Sequence, residues 1–138
     1  MSFPTWNRTP ATERIEIALV LDTWTWVEYW KGNERVRTSV EGNETRITSM
    51  ISVAELERLY GTDKERMDRM VSIIRLRSLL VPVDLAIARA AGRVRREMKE
   101  GGIADAIIYA TALRHRAKVV TGDPHFRGMP EVVFVERE

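Results

Sequence analysis

Apolar residues fall along this chain in two alternating patterns. Residues 14–22, RIEIALVLD, close on an unbroken aliphatic run stopped by an acid, the pattern of a strand buried on both faces. TWTWVEYW then changes to helical spacing, with Trp26 and Trp30 four apart and Val27 beside them. Gly-Asn pairs at 32–33 and 42–43 predict turns around a short polar excursion. A second strand at 46–48 leads into a helix in which Ser52 and Glu55 read as an S-x-x-E capping box and Gly61 closes the apolar stripe. Met67, Met70, Val71, Ile74 and Leu79 fit one face of a further helix. LLVPV predicts a third strand, and DLAIARAAGRVRREMKE a helix with Asp84 at its N-cap and Gly101 and Gly102 at its end. Residues 103–113, IADAIIYATAL, make another helix, AKVVT a strand, and EVVFVE a last strand of period two. Strands separated by helices of roughly ten or more residues predict an α/β fold, a mostly parallel sheet covered on both faces.

Ligands of such sheets bind beyond the carboxyl ends of the strands, where crossover loops part. Asp22 directly follows the first aliphatic run, and Asp123 lies two residues past the strand AKVVT. Asp105 opens the helix that precedes that strand, and Glu55 stands in the first turn of the helix after the second strand. Each has an ordinary alternative: a capping box for Glu55, a first-turn acid answering the helix dipole for Asp105, a turn acid before proline for Asp123. Asp22 is the hardest to explain this way, because an acid at the end of a buried strand needs something to solvate it. Glu57, about 200° around the helix from Glu55, cannot share a pocket with it. Asp84 reads as a cap alone.

Composition narrows the chemistry. A chain of 138 residues fits one domain with a proper core, taken here as residues 15–138 after an N-terminal extension, 1–14. Cysteine is absent, which removes disulfides, thiolate zinc sites and thiol catalysis together. The net charge of +2 allows nucleic acid as a partner without implying it. No leader-like apolar segment and no run near the roughly 18 residues of a membrane span occurs, so a cytoplasmic protein is the expectation. Glutamine is absent, and eighteen Arg stand against four Lys, a slant that suits a thermophile or an arginine-biased genome.

Taken in order, LDTWTWVEYW, TSMISVAELERLYG, VPVDLAIARAAGRVR, GGIADAIIYATAL and AKVVTGDPHFRGMPEVVFVE resemble a PIN domain, most closely the short stand-alone members typified by VapC-type toxins. The resemblance runs from about residue 17 to 136. It implies a five-stranded parallel sheet of order 3-2-1-4-5 and a metal-dependent ribonuclease leaving a 5′-phosphate and a 3′-hydroxyl. It also implies a VapB-like antitoxin partner and a homodimer. Carried over residue by residue, the catalytic and metal-binding acids fall on Asp22, Glu55, Asp105 and Asp123, with Thr121 as a supporting hydroxyl. Four carboxylates in one pocket repel one another unless a cation neutralises them. An all-oxygen set without Cys or His selects Mg²⁺ or Mn²⁺ over zinc.

Substrate contacts are expected from arginines, since backbone phosphates supply most nucleic-acid affinity. Arg89, Arg93 and Arg96 form one helical stripe, which is equally the pattern of a solvated face. Trp24 can stack on a base or simply pack, and His125 can touch a substrate phosphate or serve as a packed, hydrogen-bonded residue. Trp26, Val27 and Trp30 read first as core, and second as a groove for a partner's amphipathic helix. Competing readings are a silent PIN-fold module that binds RNA or protein without turnover, and a housekeeping RNA-processing nuclease. A phosphotransfer domain is disfavoured, because Trp24 stands where haloacid-type phosphatases carry a second acid.

Overall fold

A computed structural model describes residues 17–136; the expected extension, 1–14, lies outside them. The elements run β1 (Ala18–Leu21), α1 (Thr23–Trp30), α2 (Glu34–Glu41), β2 (Thr45–Ser49), α3 (Met50–Tyr60), α4 (Lys64–Arg77), β3 (Leu79–Val81), α5 (Leu85–Glu97), α6 (Ile103–Arg114), β4 (Ala117–Thr121) and β5 (Val132–Phe134). All strand pairings are parallel, and the sheet order is β3-β2-β1-β4-β5, as expected.

Alternation within the strands divides the core in two. Val20, Ile47 and Val119 face one side, against Ile87, Ala90, Val94, Ile108 and Tyr109 of α5 and α6. Leu19, Leu21 and Val120 face the other, against Trp26, Leu56, Met67, Met70 and Ile74 of α1, α3 and α4. Burial on both faces is what an all-parallel sheet requires, and it accounts for the unbroken aliphatic run of β1. α6 is apolar nearly all round and correspondingly deep, with Ala106, Ile108, Tyr109, Ala110, Thr111 and Ala112 buried.

Four expectations are corrected. The polar excursion between the Gly-Asn pairs is a helix, α2, capped by Asn33 and anchored by Val36 and Val40, an i, i+4 pair too sparse to read as a stripe. The N-cap of α3 is Ser49, whose side chain accepts the Ile51 N–H, so Ser52 and Glu55 form no capping box. Leu79 does not extend the α4 face: Ser78 adopts extended backbone and ends the helix, leaving Leu79 in edge strand β3, 61% exposed. α5 ends at Glu97, short of Gly101 and Gly102.

The tryptophan stripe divides between core and margin. Trp26 is fully buried, stacks on Trp30 at 5.4 Å, and donates from Nε1 to Thr48 Oγ1 at 3.0 Å. Val27 and Trp30 pack against the same cluster and stay half-buried.

Candidate functional site

In the order 3-2-1-4-5 the chain reverses direction across the sheet between β1 and β4, and the carboxyl ends of those two strands frame a crevice. Asp22 leaves β1 there and caps α1, accepting the Thr25 N–H on Oδ1 at 2.8 Å. Thr121 ends β4 beside it, fully buried. The Thr121 hydroxyl donates to the Asp22 carboxylate and accepts the Asp123 N–H at 2.9 Å, so one side chain fixes both acids. Asp123 in turn accepts the His125 N–H at 3.0 Å and starts the 3₁₀ turn Pro124–Phe126.

Asp105 sits at the third position of α6, where its Oδ2 accepts the Gly102 N–H at 3.2 Å and thereby caps the helix. The same oxygen lies 2.9 Å from His125 Nδ1. The cap role and the site role therefore coexist in one residue. Glu55, released from any capping duty, extends from α3 toward α1, and its Oε1 accepts the Thr23 hydroxyl proton at 2.6 Å. That hydroxyl also stands 3.0 Å from Ser52 Oγ.

All four acids line one open groove of about 930 Å³, with Trp24 and Arg35 among its other walls. The structure thus brings together every acid singled out from the sequence. It does not bring them equally close: Asp105, Asp123 and His125 offer donor atoms within 4.8 Å of one another, whereas Asp22 and Glu55 flank that set. Trp24 lies over Gly122, so close that a Cβ at position 122 would stand 2.4 Å from its ring. Arg89, Arg93 and Arg96 are exposed on α5 and do not line the groove. Lys31 and Arg35, at the turn between α1 and α2, do line it, and sequence reasoning missed them. Their signal was the turn itself, read as a polar excursion rather than as a helix start folded over the strand ends.

Electrostatically the site is unbalanced. Asp22 is only 2% exposed, and burial pushes its carboxyl up to about 7 against the hydrogen bonds from Thr121 and Thr25 that favour the anion; the Asp123 charge raises it further. Partial desolvation works against a charged His125, but the hydrogen bond to Asp105 and the charges of Asp123, Asp105 and Glu100 outweigh it and raise the pKa above the ordinary value. A buried carboxyl with hydroxyl and amide partners, beside two more acids and an imidazole, is a donor set that fits a divalent cation.

A doubly covered parallel sheet with acids gathered at its switch point defines an α/β domain built around a carboxylate-rich crevice. The chain belongs to the PIN-domain family, whose model matches residues 19–132. Solved structures share the fold. A toxin–antitoxin complex from Klebsiella pneumoniae superposes with a TM-score of 0.73 at 24% identity, over 87% of this chain and 99% of that one. VapBC2 from Rickettsia felis, bound to a DNA fragment from its promoter, gives 0.72 at 21% identity, over 88% and 100%. Mycobacterium tuberculosis VapC20, a sarcin–ricin loop cleaving toxin, gives 0.61 at 20% identity, over 83% and 98%. No curated protein sequence matches significantly. Among the described residues no helix is long and apolar enough to cross a membrane.

Proposed function

We propose that this protein is a metal-dependent ribonuclease that hydrolyses RNA phosphodiester bonds and acts as the toxin of a VapBC-type pair, held by a VapB-like antitoxin and working as a homodimer. The observation that carries this reading is the convergence of Asp22, Glu55, Asp105 and Asp123, from four separate elements, on one groove. Family membership supports the nuclease assignment, and the similarity to VapBC structures supports the toxin assignment.

In this reading Asp22, Asp105 and Asp123 hold Mg²⁺ or Mn²⁺, directly or through water. A bound divalent ion supplies charge neutralisation at the phosphate and a water of lowered pKa. Thr121 keeps Asp22 and Asp123 in register through its two hydrogen bonds. Glu55, with Oε1 tied to Thr23, lines the groove and would orient the attacking water. Lys31 and Arg35 meet the RNA backbone beyond the acids, and Trp24, braced on Gly122, offers a ring face to a neighbouring base. The exposed arginines of α5 lie outside the groove and would add positive surface for the RNA backbone.

The test is cleavage of a labelled structured RNA by the purified protein with Mg²⁺, Mn²⁺ or EDTA, alongside Asp22→Asn and Asp105→Asn. Cleavage only with metal, and a loss of about 100-fold or more in both folded variants, is the expected result. If the wild type binds the RNA but cuts it under no condition, the protein is a silent binding module. Cleavage of a precursor RNA without growth arrest on expression assigns it instead to RNA processing.

A further inference from the structure

His125 stands among the acids, although nothing in the sequence gave it a role in holding a cation. Its Nδ1 lies 2.9 Å from Asp105 Oδ2 and 3.4 Å from Asp123 Oδ1, and those three residues make a tight donor cluster at the edge of the groove, which the two acids line and His125 does not. The imidazole is placed by structure on both sides. Its backbone N–H is bound by Asp123 Oδ1, and the next residue, Phe126, is fully buried and anchors the turn. Gly101 underlies the pair from the other direction at φ +103°, where a Cβ would stand 2.8 Å from Asp105 Oδ2 and 3.4 Å from His125 Cβ. The backbone before α6 is thus shaped to let this imidazole and this carboxylate meet. The side chain is 42% exposed, against 18% for Asp105 and 27% for Asp123, so it is the most solvent-accessible member of the cluster.

We infer that His125 supplies a nitrogen ligand, through Nδ1, to the divalent cation that Asp105 and Asp123 hold, an inference that rests on the metal-dependent reading above. The consequence is a change in which ion is preferred. Mg²⁺ favours oxygen ligands and retained waters, whereas imidazole nitrogen strengthens binding of first-row transition ions. A mixed oxygen and nitrogen set therefore raises Mn²⁺ over Mg²⁺ beyond what carboxylates alone achieve, and extends the range to Co²⁺ and Zn²⁺. It replaces the all-oxygen set expected from the sequence. The imidazole ligates with its proton on Nε2, which leaves that nitrogen as a donor toward a substrate phosphate.

Mn²⁺ is the probe. Pulsed electron paramagnetic resonance of the full chain loaded with Mn²⁺ reports a directly bound ¹⁴N, and competition calorimetry gives the ratio of Mn²⁺ to Mg²⁺ affinity. The chain has two histidines, and the other, His115, caps the far end of α6, about 15 Å along the helix from Asp105, so the signal is unambiguous. The expected result is a ¹⁴N coupling in the wild type that His125→Ala abolishes while Mn²⁺ still binds. His125→Asp, which restores an oxygen ligand, should lower the Mn²⁺ to Mg²⁺ ratio about tenfold. Suppose instead that Mn²⁺ binds without ¹⁴N coupling and both variants leave the ratio unchanged. His125 then only orients Asp105 and the inference is overturned, while the metal site stands. If the wild type binds neither ion, the inference and the metal-dependent reading fall together.

Discussion

Asp22 concentrates the energetic cost of the site in one residue. Its folded-state pKa, about 7, lies above the ordinary carboxyl value, so between roughly pH 4 and 7 the folded chain keeps a proton that the unfolded chain has released. The contribution of Asp22 to stability is therefore greatest below pH 4, declines as pH rises through that window, and is fully lost above about 7. In chelator at pH 8, Asp22→Asn is expected to melt higher than the wild type, by an amount corresponding to a few kcal/mol at most, since one pKa unit is worth about 1.4 kcal/mol. At pH 4 the difference should vanish, which a series of thermal melts across pH will check. Thr121→Val removes the hydroxyl that favours the Asp22 anion and holds Asp123, and should weaken metal binding about tenfold by calorimetry with the fold intact. Asp22 was legible in the sequence because an acid directly after an aliphatic run is conspicuous. The tight contact of His125 with Asp105 was not, since twenty residues and a whole helix and strand separate them.

Elements explain which parts of the pattern misled. Ser49 and Ser52 both offer a cap oxygen, and the choice between them was made by pairing: β2 continues to Ser49 because Ser49 sits in register with Val81 of β3. Moving the cap three residues upstream converts Glu55 from a capping acid into one that reaches across to α1, a tertiary outcome no local motif contains. Because one oxygen of Glu55 is already held by the Thr23 hydroxyl and its proposed role is to orient water, Glu55→Gln should reduce kcat by about 100-fold or more and leave metal affinity within about threefold; parallel turnover and calorimetry separate the two. The α1 helix depends on a polar chain that starts in the core as well as on area. Trp26 donates to Thr48, whose hydroxyl lies 2.8 Å from that of Ser78, which in turn donates to the Ile74 carbonyl at 2.8 Å. Trp26→Phe keeps most of the ring and breaks the first link, and urea unfolding should show a loss of about 1–3 kcal/mol.

Over the whole molecule, the four candidate acids gather at the switch point, and the nearest positive charges stand at the groove margin, interleaved with Glu28, Glu34 and Glu136. Asp22, Glu55, Asp105 and Asp123 occupy the crevice, Lys31 and Arg35 its margin, and the α5 arginines the open surface. Arg89→Glu, Arg93→Glu and Arg96→Glu combined should raise KM for RNA, leave kcat unchanged, and flatten the salt dependence of binding by about two phosphate contacts out of three. The parallel sheet was readable because strands alternate with helices, whereas its order came from the resemblance to PIN domains and not from the pattern itself. The site is divided along the chain in a way that bears on synthesis. Asp22 is made before any other acid of the site, but the strand that must dock beside it, and Asp123 and His125 beyond that strand, emerge only from residue 117 onward. The crevice therefore cannot assemble on the ribosome until β4 has been made and closes onto β1, and a chain halted before residue 117 carries Asp22 without Thr121, Asp123 or His125.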